Sequence, residues 1–460
     1  MLHNQFCDLF AKYTSPFPIP QATELSVTFQ HRTRRHIRLL QVATAATIVA
    51  LGLTACGTSS GGSSSTAKID NSPATGTVTL WAPDGDATTL KTILKPFEQA
   101  NPKVKVQITV IPSSNYNTKL QTAIAAGTTP DIAQLYTEAA AQFLDPKVFA
   151  TVPKGLIDPT TSFPSSVKSD TIKGTVLAVP WYTYTYALVY RKDLAAKAGV
   201  TAPTKISQMV PFFKALQGAG ATHGFAADVG WDSYNGQDIA IYTWQNGGDV
   251  VNANQTKWTF ANNPAFIKAL KDYAAYFTAG TAAIDAPQFL DAGPSFISGK
   301  TASTQTGPWV LSAYDGVAKQ KGWTAANVAT APLPAGSANN VGPVGGGSWG
   351  VFKASKNADA AWKLIRFLSE KKTQVAQYKA YGSMPSNKAA WKDPSIAGQP
   401  LLDAFFTQLK NSRNYPTVST WGEVATDIAK EEEAVARGTE TPEAAAKAIQ
   451  SYADNVGTGS

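Results

Sequence analysis

Thr77-Val78-Thr79-Leu80-Trp81, then Val104-Lys105-Val106-Gln107-Ile108-Thr109-Val110, then Pro130-Asp131-Ile132-Ala133-Gln134-Leu135 is the series that decides the fold class. The middle segment alternates apolar and polar residues, the pattern of a half-buried strand. Between the first two, Leu90, Ile93, Leu94 and Phe97 fall at i, i+3, i+4 and i+7, one face of a helix. Asp86 to Thr89 offer its caps, and Asn101-Pro102 stops it. A second helix is expected from about Asn117 to Ala126, closed by Gly127, ahead of the third strand. Strand–helix–strand–helix–strand order predicts an α/β lobe with a largely parallel sheet. Ligands on such sheets sit outside the carboxyl ends of the strands. Those ends are Ala82-Pro83-Asp84-Gly85-Asp86 and Tyr136-Thr137-Glu138.

The same alternation runs on toward the C-terminus. Leu177 to Pro180 and Ala187 to Tyr190 read as strands, and Asp193 to Ala198 as a helix before Gly199. Longer helices are expected at 264–277, 358–368 and 442–452, the last with Thr441 and Pro442 at its N-cap and first position. At 460 residues, with 43% hydrophobic and 16% charged, the chain is long enough for two or more lobes and is not compositionally disordered.

Upstream lies an export address. His31-Arg32-Thr33-Arg34-Arg35-His36-Ile37-Arg38 is cationic, and Leu39 to Ala55 is apolar and uncharged, ending in Leu53-Thr54-Ala55-Cys56. A positive segment, a short apolar segment and small residues before a cut describe a secretory signal over 31–55. A single membrane-spanning anchor is the plainer alternative, since 17 residues just cross a bilayer. Residues 1–30 hold Pro16, Pro18 and Pro20 without strong periodicity, and translation is expected to begin nearer Val27. Gly57 to Ser65 is only Gly, Ser and Thr, so 56–76 reads as a flexible tether.

Scarce residues exclude whole classes of chemistry. The cysteines are Cys7 and Cys56, and the histidines are His3, His31, His36 and His223. After a cut before Cys56 one of each remains, too few for a disulfide framework, a Cys/His zinc site or a Cys–His nucleophile pair. Residues 1–55 carry five Lys/Arg against Asp8 and Glu24, so most of the formal +8 is spread thinly over the body. No basic run with interleaved aromatics occurs there, and nucleic-acid binding is not expected.

The body resembles the family 1 extracellular solute-binding proteins of ABC importers, the group that contains maltose-binding protein. The matching motifs are Gly127-Thr128-Thr129-Pro130-Asp131, Tyr190-Arg191-Lys192-Asp193-Leu194, Gly247-Gly248, Phe296-Ile297-Ser298-Gly299-Lys300, Gly307-Pro308-Trp309, Gly345-Gly346-Gly347-Ser348-Trp349-Gly350 and Gly438 with Thr441-Pro442-Glu443. Leu53-Thr54-Ala55-Cys56 resembles the bacterial lipobox, which implies acylation of Cys56 and a membrane anchor on the extracytoplasmic face. The resemblance implies a two-lobed periplasmic-binding-protein fold of the type II kind with a three-crossing hinge. The crossings fall near 182–186, 347–350 and 384–387, which gives one lobe from 77–182 plus 349–384 and another from 187–345 plus 388–460. Gly345 to Gly347 suit a hinge, because glycine tolerates unusual φ/ψ and close backbone approach. It also implies a carbohydrate ligand, permease subunits as partners, a monomer, and neither cofactor nor metal.

Candidate ligand-binding residues follow. Asp84, Asp86, Tyr136 and Glu138 stand at the strand ends; Trp181, Trp231, Trp309, Trp349 and Trp421 are tryptophans placed in loops or at strand ends; and Tyr182, Tyr184 and Tyr415 complete the set. By resemblance, Trp309 and Trp421 match sugar-stacking positions and Glu138 a hydroxyl-binding carboxylate. Tyr184 falls where the maltose protein has a glutamate, a departure that argues against maltose specificity. Sugars suit Trp-rich loops, since their C–H faces stack on indole while hydroxyls bond Asp, Glu and amides. Trp362, on a helix with Ile365 and Leu368, is expected in the core. A binding protein for a non-sugar solute and two enzymatic readings compete. Gly346-Gly347-Ser348-Trp349-Gly350 fits a nucleophile elbow, yet no histidine follows His223 to complete a triad. A glycosidase needs two carboxylates about 5–9.5 Å apart, which Asp84, Asp86, Glu138 and Asp232 supply in principle.

Overall fold

The computed structural model describes residues 69–227, 230–285 and 292–459. The expected signal over 31–55, Cys56 and the tether up to residue 68 lie outside them. Two sheets organise the described residues, built from β1 (Gly76–Pro83), β2 (Val104–Ile111), β3 (Ile132–Tyr136), β4 (Ala178–Tyr184), β5 (Ala187–Arg191), β6 (Ser303–Thr306), β7 (Val328–Ala331) and β8 (Gly345–Val351).

The first sheet has five strands in the order β2-β1-β3-β8-β4. β2, β1 and β3 run parallel, as their helical crossovers require, while β8 returns antiparallel to both β3 and β4. The helix after β1 spans Asp84–Ile93, with Pro83 rather than a side chain at its cap and Asp84 and Asp86 in its first turn, where the helix dipole favours negative charge. A separate helix, Lys95–Ala100, follows; Pro96 in its first turn lacks the N–H that an uninterrupted helix would need. The predicted apolar face holds: Leu90, Ile93, Leu94 and Phe97 are all buried. The second crossover helix is Ser113–Ala126, closed by Gly127 in the left-handed conformation.

Each face of this sheet has its own core. Leu80, Val179, Trp181, Trp349 and Val351 pack with Leu90 and Ile93 and with Ala361, Trp362, Leu364 and Leu368 of the helix Ala358–Leu368. Ala133 and Leu135 face the other way, onto Tyr116, Leu120 and Phe149. Lys363, buried on that same helix, bridges Asp70 at 2.9 Å and Asp359 at 2.8 Å, which ties the chain ahead of β1 to this lobe.

The second sheet has the order β6-β5-β7, with both neighbours antiparallel to β5. Leu188 on one face joins a large core that includes Phe213, Tyr276, Trp244, Trp421 and Ile428. Ala187 and Val189 on the other join Phe296, Trp391 and Phe405. These two sheets, each covered on both faces, form the two-lobed periplasmic-binding-protein fold. The chain passes from one to the other within Tyr184–Ala187.

Three strand segments meet at that passage. β8 pairs Gly345 with Tyr184, Gly346 with Thr183 and Gly347 with Tyr182. From the other side the Thr183 N–H donates to Met384 O at 2.9 Å, and Tyr182 bridges Pro385. The β4–β8 register shifts between Gly347 and Ser348, leaving Trp181 as the unpaired residue of a bulge. Trp181 is 1% exposed and Trp349 fully buried, their rings 6.0 Å apart. Both belong to the core of the first lobe rather than to a ligand site, because strand alternation turns them under the helix Ala358–Leu368.

Replacing Trp349 with Ala should therefore cost about 3–5 kcal/mol of stability. A denaturant melt measures this; a midpoint like that of the wild type would show that Trp349 is not a core residue.

Candidate functional site

The site begins with two alternate residues of β4. Tyr182 and Tyr184 project from the same face of the strand, and the neighbouring strand is glycine where they lie. A Cβ at Gly347 would sit 2.5 Å from Tyr182 Cε1, and one at Gly345 only 2.1 Å from Tyr184 Cζ. Glycine is thus required at these places for ring-to-backbone approach. Only Gly346 of the three has a positive φ, at 145°.

Trp309 completes this aromatic group from the second lobe. It opens the helix Trp309–Val317, just after β6, and lies half-buried. Its ring stands edge-on to Tyr184 at 5.0 Å and to Tyr186 at 6.2 Å. Tyr184 and Tyr186 are nearly parallel, 11° apart with centroids at 6.4 Å. Gly307 leaves the space for the indole, which a Cβ there would enter. Edge-to-face contacts of this kind fix ring orientation.

Carboxylates border the rings. Asp84 is exposed and accepts from Ser113 Oγ at 2.5 Å. Asp86 is buried, accepting from Gln134 Nε2 at 2.6 Å and Gln377 Nε2 at 3.3 Å. Burial raises it to about 6 against the help of Gln134, with the Asp84 charge adding to the rise. Both its oxygens accept bonds within the lobe, so Asp86 ties β3 to the helix Lys371–Tyr381. Glu138 lies two residues past β3, raised to about 7 by burial despite hydrogen bonds from its own backbone N–H and the Tyr184 hydroxyl. Its Oε2 is enclosed without a protein partner. The Tyr136 and Tyr182 phenols are held above their ordinary range, chiefly by burial and further by Asp86, Glu138 and Tyr381. Tyr381 is itself pushed to about 12 by burial and by Asp86 and Asp84. These mutual effects place Asp84, Asp86, Tyr136, Glu138, Tyr182 and Tyr381 in one neighbourhood.

A small cavity of about 10 Å³, room for about one water, adjoins it, lined by Thr137, Glu138, Ala141, Ser169, Val344 and the segment Asn414 to Thr417. Tyr415 forms part of that lining. Trp421 does not face ligand. It is 3% exposed, with the rings of Tyr415 at 5.9 Å and Trp258 at 6.1 Å nearly parallel to its own. Trp421 is buried within the core of the second lobe, where it offers no exposed stacking platform. Trp231 stands apart: its ring contact is Phe277, at 5.9 Å, and its own φ is +49°.

Four site residues escaped the sequence reading. Gln134 and Gln377 are buried amides on β3 and on the helix Lys371–Tyr381, where apolar residues are the rule. Tyr186 follows Tyr184 at the lobe passage, and Tyr381 closes a helix nearly two hundred residues away. Only Tyr186 carried a local signal, as the third tyrosine in Tyr182-Thr183-Tyr184-Thr185-Tyr186. Ser348, the would-be nucleophile, is 2% exposed inside β8 and donates to Asp170 Oδ2 at 2.8 Å. It occupies a regular strand, not an exposed elbow. Among the described residues no cluster of His, Cys, Asp and Glu is placed to hold a metal, and no helix is long and apolar enough to cross a membrane.

Comparison with known proteins gives a consistent result. Residues 92–404 match the family model of bacterial extracellular solute-binding proteins. A putative binding protein of Brucella abortus is 24% identical over 390 residues, 79% of this chain and 88% of that protein. A galactooligosaccharide-binding protein of Bacillus subtilis is 23% identical, covering 86% and 92%. Among solved structures, the sugar-binding protein MalE of Xanthomonas citri superposes with a TM-score of 0.76 at 27% identity, over 83% of this chain and 97% of that one. The GacH receptor of Streptomyces glaucescens, solved unliganded and with acarbose, gives 0.72 at 25% identity, over 83% and 98%. Each of these is named as a binding protein or a receptor.

Buried carboxylates give the fold a characteristic pH dependence. Asp86, Glu138 and Asp170 are raised to about 6, 7 and 8, in each case mainly by burial. Unfolded, each titrates near 4. Between about pH 4 and pH 8 these three groups therefore bind more protons in the folded chain than in the unfolded one, and their contribution to stability falls as pH rises. The Asp86 part alone is on the order of 3 kcal/mol. Denaturant midpoints should be higher at pH 5 than at pH 8, with a smaller gap in Asp170→Asn and Glu138→Gln. An equal or higher midpoint at pH 8 contradicts this assignment.

Proposed function

The chain belongs to the bacterial extracellular solute-binding proteins, and from that membership we propose that it is the receptor of an ABC importer, closing over a mono- or oligosaccharide and presenting it to permease subunits. One observation carries the carbohydrate reading: Tyr184, Tyr186 and Trp309 meet at the lobe passage beside Glu138, Tyr136 and Tyr381. Aromatic faces match the C–H faces of pyranose rings, and carboxyl and phenol groups match their hydroxyls. Relatives named for sugars support the same class. The lobes divide as 77–182 plus 349–384 and 187–345 plus 388–460, with the ligand between them.

The mechanism follows from the two-sided site. Glu138, Tyr136, Tyr182 and Tyr381 stand on the first lobe and Trp309 and Tyr415 on the second. A sugar touching both favours the closed form by the difference in its affinity for the two states. Binding needs no covalent step. Cys56, lipidated after signal cleavage, would hold the receptor at the extracytoplasmic face of the membrane as a monomer, with the tether giving it reach.

Trp309→Ala should weaken sugar binding by about 2–4 kcal/mol while leaving the melting midpoint near that of the wild type. Titration calorimetry and a denaturant melt on the same variant read both quantities. Normal affinity with early melting would make Trp309 a core residue. For the anchor, Cys56→Ser should move the protein from the membrane to the soluble fraction of cells; unchanged retention would instead indicate an uncleaved membrane segment.

A further inference from the structure

The chain between β3 and β4 sends an arm into the core of the second sheet. Phe163, 2% exposed, shares that core with Ala187 and Val189, and the rings of Trp391 and Phe406 stand edge-on to it, each at 6.1 Å. The short helix Pro164–Ser169 follows. It reaches the segment ahead of the helix Trp421–Ala436: Ser165 Oγ lies 2.9 Å from Ser412 Oγ, and Asn414 Nδ2 donates to Ser165 O at 3.0 Å. Ser166 Oγ donates to Thr183 Oγ1 at the passage between the lobes. The arm returns through Asp170, whose Oδ2 accepts from Ser348 Oγ of β8 at 2.8 Å. It therefore ties the core of the second sheet to a central strand of the first, in addition to the chain crossings themselves.

Asp170 is the weak point of this tie. Its side chain is fully buried, and Oδ1 has no protein partner. Ionised, it is a buried charge supported by one hydroxyl, which is costly; protonated, it carries no such penalty. The groups around it do not offset the cost. β8 has no titratable residue, Lys168 on the arm and Lys173 just beyond it are exposed, and Tyr136, Glu138, Tyr182 and Tyr184 on or after the neighbouring strands are themselves acids. Burial accordingly raises Asp170 to about 8, opposed only by the Ser348 bond. We propose that the arm 163–170 is a pH-responsive strap across the two lobes, seated while the Asp170 carboxyl keeps its proton and loosened when that proton leaves for solvent. Released into water the carboxyl titrates near 4, so the strap is held most firmly below that pH and loses this hold as pH rises to about 8. Ser169 on the strap lines the same small cavity as Glu138 and Tyr415, so loosening reaches the edge of the candidate site.

Hydrogen–deuterium exchange of the full chain without ligand reads the strap directly. The reporting amides are those of Val167, Asp170 and Leu177, which donate to Phe163 O, Val167 O and Asp170 O. With exchange times scaled for the intrinsic effect of pH, their protection should fall at least about tenfold between pH 6 and pH 8, while the helix Ala358–Leu368 stays protected. Asp170→Asn removes the titration but keeps an acceptor for Ser348, and its strap protection should change by less than about threefold over the same range. Equal protection of the wild-type strap at both pH values overturns the inference, whether or not the variant folds. So does exchange of the strap only together with that helix, or a loss in Asp170→Asn as large as in wild type.

Discussion

Everything at the centre of this molecule depends on how closely two tyrosine rings lie against a strand that has no side chains. Tyr182 and Tyr184 rest on β8 at Gly347 and Gly345, where a single added carbon would collide with either ring. Ordinary side chains there would lift the rings or push β4 and β8 apart. In that event the register that pairs Gly345 with Tyr184 and Gly347 with Tyr182 would be lost. Tyr184 in turn gives Trp309 its edge-on partner and supplies a hydrogen bond to Glu138. One glycine run therefore sets the positions of an indole from one lobe and a carboxylate from the other.

The passage between the lobes around that contact is held by buried polar side chains. Ser166 Oγ donates to Thr183 Oγ1 at 3.1 Å, which bonds Gly345 O at 3.3 Å, and Thr185 Oγ1 donates to Pro343 O at 2.6 Å. On the third crossing, Ser386 Oγ donates to Pro180 O at 2.9 Å, while Gln374 Oε1 accepts from the Asn387 N–H at 2.8 Å. Satisfied buried networks of this kind specify one arrangement, because any slip leaves polar groups unpaired. The apolar cores of the two lobes lie to either side of these residues.

Much of the architecture was legible from periodicity alone. The Leu90–Phe97 face, the alternation in β2, the Gly127 stop and the helix Ala358–Leu368 follow from local rules, since each records which side of an element meets the core. Family likeness supplied the lobes and the importer context. Site residues were harder to read, because a tryptophan beside a strand end looks the same whether it faces a cleft or a core. Trp181 and Trp349 are decided by sheet alternation and a bulge, which require the pairing register. Trp421 is decided by its burial beside Trp258, which comes from a segment far away in the chain. Asp86 at a strand end is engaged by Gln134 and Gln377, and only the folded structure brings those amides to it. Tyr381 left no local trace for the same reason. Gly345 to Gly347 were read as hinge residues for their freedom of φ and ψ and for close approach; at Gly345 and Gly347 it is the approach that matters.

Substituting Ala at Gly345 tests the dependence of the site on this contact most directly. The backbone there is not left-handed, so the change acts through the added carbon and the Tyr184 ring it must displace. Calorimetric titration of Gly345→Ala with the sugar that binds wild type should show affinity reduced by about tenfold or more, while the cooperative melt persists. Undiminished affinity in a folded Gly345→Ala protein would contradict the account, showing that the ligand is held without the tyrosine rings set on the glycine strand.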